Sequence, residues 1–143
     1  MPKSGMDDIN QQIWDEYYER VKRRRLRAAE LLWLELEAAG VNEDTILALD
    51  FVHFGNNRDG VEGLARQLSE DYTMEISAGS AENYWDVKGT TRPTGICLTK
   101  DLHNEWVEFM LDVARHYACV FSDWTLEAPT LGLTFQSVHL DDD

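Results

Sequence analysis

An α+β fold is predicted for this 143-residue chain: an antiparallel sheet with two helices on one face, preceded by a long N-terminal helix. Three observations predict it. The stretch Thr45 to Phe54, TILALDFVHF, contains no Gly or Pro and is apolar on both alternating faces, as a strand inside a sheet is. From Thr45 onward, stretches of period two and of period 3.6 succeed one another in the order β-α-β-β-α-β. Ahead of them, about Asp7 to Ala39 lacks Gly and Pro and stops at Gly40, as a helix closed by a C′ glycine does.

In the leading helix, Ile13, Tyr17, Val21, Ala28 and Leu32 recur near helical spacing. Unbroken, it spans roughly 50 Å at 1.5 Å per residue, so part of it must project, bend or meet a partner, including a second copy in a homo-oligomer. Ala28 to Ala39 is apolar nearly all round, which predicts contact on more than one side. In the strand that follows, Leu47, Leu49 and Phe51 share one face and Ile46, Ala48, Val52 and Phe54 share the other with Asp50. GNNRDG then turns the chain into a helix of about Gly60 to Asp71, with Asp59 and Glu62 placed as a capping box. Tyr72 to Ala78 alternates as a half-buried strand, and YWDVKGTT follows with Trp85 and Val87 inward and Asp86 and Lys88 outward, ended by Pro93. Thr94 to Leu98 leads into a helix capped by Thr99, whose stripe is Leu102, Trp106, Phe109, Met110, Val113 and Tyr117. Cys119 to Thr125, CVFSDWT, is the last core strand, ended by the Pro129 region.

That order is the ferredoxin-like split βαβ arrangement, and right-handed crossovers place its first strand centrally. The chain divides into a helical segment with an arginine band (1–39), a ferredoxin-like domain (40–129) and a C-terminal tail (130–143). In the tail, Leu131, Leu133 and Phe135 stand at strand spacing. They can add a strand, cover the open sheet face or dock on another protein.

The net charge of −14 and pI near 4.5 argue against a general affinity for nucleic acid or anionic membranes. The charge is uneven: residues 20–27, RVKRRRLR, hold six of the thirteen Lys and Arg. The plain account of this band is a solvated helix face, with Glu16 to Arg20 and Glu19 to Arg23 as i,i+4 pairs. The functional alternative is a nucleic-acid-binding module using Arg20, Arg23, Arg24, Arg25 and Arg27. Cys97 and Cys119 show no CxxC spacing and read as small core residues of a protein in a reducing cytoplasm. No apolar run approaches the roughly 20 residues of a membrane helix.

No catalytic, cofactor-binding or metal-binding motif stands out, so no enzyme is expected. His103 and Glu105 form the HxE half of a zinc-deaminase signature without its PCxxC half, and His53, His116 and His139 are scattered, at the edge of a core. Trp33 and Trp106 read as core, while Trp85 and Trp124 lie on strands. With both helices on one face, the other face needs a cover. RNA-binding domains of this topology carry aromatic and basic groups there. Here the strands carry Asp50, Glu75, Asp86 and Asp123, which repel phosphate and direct attention to a protein partner. The candidate partner-binding residues are Asp50, Asp86, Asp123 and Trp124 on the sheet, with Arg23, Arg24 and Arg27 on the helix.

The succession of an ELLWLELEAAG helix end, the TILALDFVHF strand, GLARQLSEDYTMEIS, a Trp-containing strand, WVEFMLDVARHYACVFSDW and a Pro shortly after resembles the ribonuclease E inhibitor RraB family. The resemblance covers about Arg25 to Pro129. This chain has Phe121, Ser122, Asp123 and Trp124 where such proteins tend to read Tyr-Asp-Gly-Trp, and of their long acidic tail only Asp141 to Asp143. The resemblance implies a cytoplasmic inhibitor that would bind an endoribonuclease of the ribonuclease E type and so modulate RNA decay.

Overall fold

With no Gly or Pro after its first residue, Gly5–Ala38 forms one unbroken helix, α1. In this computed structural model, residues 5–79 and 81–137 are described, with side chains from Ile9 onward. The helix stops where Gly40 adopts φ 94°, a left-handed conformation that a Cβ would strain. The Val41 N–H then donates to the Leu36 carbonyl and the Gly40 N–H to that of Glu37 (both 3.0 Å). Leu36 and Val41, at the two ends of this turn, are buried together. The second half of α1 buries one stripe, from Ala28 and Ala29 through Leu32 and Trp33 to Leu36. The contact predicted on more than one side stops short of the whole circumference, since Leu34 is 63% exposed. The first half leaves the core: Ile9 and Ile13 are exposed, although Ile13 stands in the periodic series.

After α1 come β1 (Ala48–Gly55), α2 (Arg58–Leu68), β2 (Thr73–Ala78), β3 (Trp85–Thr90), α3 (Lys100–His116), β4 (Val120–Ala128) and β5 (Leu133–Gln136). Among the described residues the fold is α+β, with three helices and one antiparallel five-stranded sheet in the order β2-β3-β1-β4-β5. β1 is central, as its two-sided apolar pattern predicts. The order holds one strand more than the four predicted in the core, because the tail pairs with β4 and extends the sheet instead of covering its open face.

α2 and α3 pack on one side of the sheet, against Leu49, Phe51 and His53 on β1, Leu47 just before it and Val87 on β3. Phe51 is the centre of this layer, edge-on to Tyr72 (4.9 Å) and Trp106 (5.7 Å). Its ring lies over Gly89, where any Cβ would overlap it. Burying a side chain of this size contributes about 1.5–3 kcal/mol. Between Val52 and His53 the pairing with β4 shifts, leaving Ser122 as an extra residue. This bulge turns both Phe121 and Trp124, three residues apart, to the helix side, where they stack at 5.1 Å. Without it, strict alternation would send them to opposite faces.

Several expectations are corrected by packing. The N-cap of α2 is Asn57, whose side chain accepts from the Gly60 N–H (3.1 Å), not Asp59, which sits in the first turn. Thr99 does cap α3, accepting from the Leu102 N–H (3.1 Å). The buried face of α3 is rotated from its predicted stripe: Leu102 and Phe109 are exposed, while His103, Val107, Leu111 and Ala114 are buried. The cause is α1, which packs along α3 and covers a second side of it. β2 is an edge strand, so only Met74 reaches the helices and Ile76 is left exposed. Of the two cysteines, Cys119 is core and Cys97 is exposed. His53 and His103 are fully buried and do not lie at the core's edge.

Candidate protein-docking surface

Alternation along β1 puts Asp50, Val52 and Phe54 on the side opposite α2 and α3. The strand register carries Thr90, Lys88 and Asp86 of β3, Glu75 of β2, and Asp123, Thr125 and Glu127 of β4 to that same side. Its charges are thus the carboxylates of Asp50, Glu75, Asp86, Asp123 and Glu127 against Lys88 and Arg92, with Arg25 acting on Asp123 from the edge. A shallow basin of about 290 Å³ lies over Asp50, Val52, Glu75, Lys88, Asp123 and Thr125. Arg92, just past β3, donates to Asp50 (3.1 Å) and Glu127 (2.9 Å) and ties β1 to β4 across the open face. Its guanidinium is held above the ordinary range by the hydrogen bonds to Asp50, then to Glu127. The Thr90 hydroxyl also donates to Asp50 (2.5 Å).

Beside this face, the first half of α1 follows β4 where β5 no longer pairs with it. The Tyr18 hydroxyl donates to the Cys119 carbonyl (3.2 Å) and Arg25 Nε to that of Phe121 (2.9 Å), so side chains occupy an edge that would otherwise be open for strand pairing. Burial draws the Arg25 guanidinium below its ordinary range, with Tyr17 and Asp123 acting in the opposite direction. From α3, Arg115 reaches Asp15 (2.6 Å) and Glu19 (3.5 Å) and lies over the Tyr18 ring (5.2 Å). Between α1 and the end of β1 runs a groove of about 370 Å³, lined by Trp14, Tyr17, Tyr18, Arg20, Phe54 and Tyr84 among others.

The predicted partner-binding residues are not brought to one place. Asp50, Asp86 and Asp123 share the open face. Trp124 does not join them: it is buried on the helix side, its Nε1–H donating to His103 Nε2 (3.0 Å), because neighbours on a strand face opposite ways. The arginine band is divided around α1, with Arg20 in the groove, Arg25 on the β4 edge, and Arg23 and Arg27 exposed one turn apart. Arg23, Arg24 and Asp123 all have interaction partners. The aromatic groove was not singled out from the sequence, although Trp14, Tyr17 and Tyr18 at i, i+3 and i+4 share one helix face.

The HxE pair points two ways, His103 inward and Glu105 outward, as a two-residue step on a helix requires. Burial pushes His53, enclosed by Phe51 and Phe121, down to about 3 and His103 down to about 4. His139 and Asp141 to Asp143 lie outside the described residues. Among those described, no group of three or more His, Cys, Asp or Glu could hold a metal ion, and no helix is long and apolar enough to cross a membrane. Compared with protein-family models and with curated proteins, the chain matches none.

Proposed function

We propose that the chain is a cytoplasmic, non-catalytic regulator that binds a protein, and that its partner is an endoribonuclease of the ribonuclease E type whose cleavage of RNA it inhibits. The observation that carries the protein-binding part is the sheet face opposite α2 and α3, which gathers Asp50, Glu75, Asp86, Asp123 and Glu127 on a chain of net charge −14. Such a face repels phosphate and attracts a basic protein surface, as RNA-binding segments of nucleases are. The nuclease itself is implied by the family resemblance of Arg25 to Pro129. The order β4-β1-β3-β2 within the sheet supports a ferredoxin-like core, to which β5 and α1 are additions.

The test is capture of such a nuclease on the immobilised chain at low salt, together with its cleavage rate in excess chain. Binding should weaken as salt rises, because the Debye length falls from about 30 Å at 0.01 M to about 10 Å at 0.1 M. Replacing Glu75 and Asp86 with Lys should weaken it about tenfold or more. No capture, with cleavage unchanged, would sink the proposal.

A further inference from the structure

The groove between α1 and the end of the sheet has three properties that together select a ligand. Its walls are aromatic and fixed in place. Trp14, Tyr17 and Tyr18 pack on one another at 5.7–6.1 Å, Tyr18 is fastened to Cys119 and Arg115, and Phe54 lies 6.2 Å from Tyr84 on the other side. Yet Trp14 is 56% exposed, so its ring is offered to solvent. The walls also carry donors that no protein acceptor takes up. Among the described residues, the Trp14 indole N–H and the Tyr17 and Tyr84 hydroxyls form no hydrogen bond, and Arg20 adds a guanidinium. Finally, the rim is acidic on balance: Glu16 borders it on α1 and Asp86 stands opposite Phe54 in the β1–β3 register, while Asp15 and Glu19 share Arg115, so that four carboxylates face Arg115, Arg20 and Arg23.

We propose that this groove takes an extended, proline-containing basic segment of a partner protein in the polyproline II conformation; the inference rests on the chain being a protein-binding regulator. Such a segment has no internal hydrogen bonds and few N–H groups, so it presents carbonyl acceptors to the groove's donors and pyrrolidine rings to its aromatic faces. Its low conformational freedom reduces the entropy lost on binding. Flanking Lys or Arg meets the acidic rim and the neighbouring sheet face. Other occupants fit less well. A nucleotide would bring phosphate against the rim carboxylates with Arg20 as the opposing cation in the groove. An amphipathic helix satisfies its own backbone and would cover the donors without supplying acceptors.

The experiment is a calorimetric titration of the full chain with a synthetic peptide carrying prolines at i and i+3 between arginines. Comparison peptides have every proline replaced by alanine, or every arginine by glutamate. The proline-arginine peptide should bind, and each replacement should weaken it about tenfold or more, equivalent to about 1.4 kcal/mol. Trp14→Ala and Tyr84→Ala, both at exposed positions, should each weaken it similarly with the fold intact by circular dichroism. Equal binding of the alanine peptide, unchanged binding by both variants, or competition by single-stranded RNA would overturn the assignment. So would self-association of the chain that buries Trp14. Nuclease capture that persists with Trp14→Ala while the peptide fails to bind would remove the groove ligand and leave the regulator proposal standing.

Discussion

The two faces of β1 differ in what their residues are for. On the helix side, Leu49, Phe51 and His53, with Leu47 just ahead of the strand, are essentially without solvent contact. On the other side Asp50, Val52 and Phe54 stay partly exposed, and their polar contacts run sideways, from Asp50 to Thr90 and Arg92. The same strand therefore supplies both the centre of the core and the centre of the candidate docking face. Damage on one side should unfold the protein, and on the other it should leave the fold and alter recognition.

Acidification is the strongest way to probe the buried side. Burial disfavours the charged forms of His53 and His103 and pushes them from the ordinary 6.5 down to about 3 and about 4 in the folded chain. A folded pKa below the unfolded one gives stability that is complete above about pH 6.5 and is lost as pH falls toward 3. At about 1.4 kcal/mol per unit, this amounts to on the order of 5 kcal/mol for His53 and 3 kcal/mol for His103. Urea melts across that window should show the loss, and His53→Phe should remove most of the His53 share of the slope. A slope unchanged by His53→Phe would mean that this ring is not where the pH sensitivity resides.

Phe51→Ala should cost about 3–5 kcal/mol, since it opens a cavity between Tyr72, Trp106 and Gly89. Val52→Ala, the next residue but on the open face, should cost far less. Denaturant midpoints of the two variants make the comparison directly, and equal losses would break it. Trp124→Phe keeps most of the packing but leaves His103 Nε2 without its donor, a loss of about 1–3 kcal/mol by the same measurement. Smallest should be Arg92→Ala: its pairs with Asp50 and Glu127 are between 37% and 47% exposed, and such ion pairs contribute about 0–1 kcal/mol. Its effect should appear instead in partner binding, where removing a cation from the face raises affinity for a basic surface.

Much of this arrangement is legible in the chain because short-range rules produce it. Period two in TILALDFVHF separates Leu49 and Phe51 from Asp50 before any partner strand is known. Gly40 ends α1 and Thr99 starts α3 by local hydrogen bonds. The places where the pattern misleads are those where a distant element intervenes. Leu102 and Phe109 fit an apolar stripe, but α1 takes another side of α3 and leaves them outside. Trp124 sits beside Asp123 in sequence and across the sheet from it in space, and the bulge at Ser122 brings Phe121 to the Trp124 side.

By itself, then, the sequence determined the succession of elements, the central strand and the acidic character of the chain, all properties of composition and of spacing within a few residues. Tertiary structure alone decided that the strand carboxylates gather on one uncovered face, that the arginine band is split between a groove and a strand edge, and that Trp14, Tyr17 and Tyr18 meet Phe54 and Tyr84. Each of these joins residues tens of positions apart, and the contact depends on how α1 is laid against α3 and β4. That placement is held by the buried stripe from Ala28 to Leu36 together with the Arg115, Tyr18 and Arg25 contacts, whose partners no local periodicity encodes.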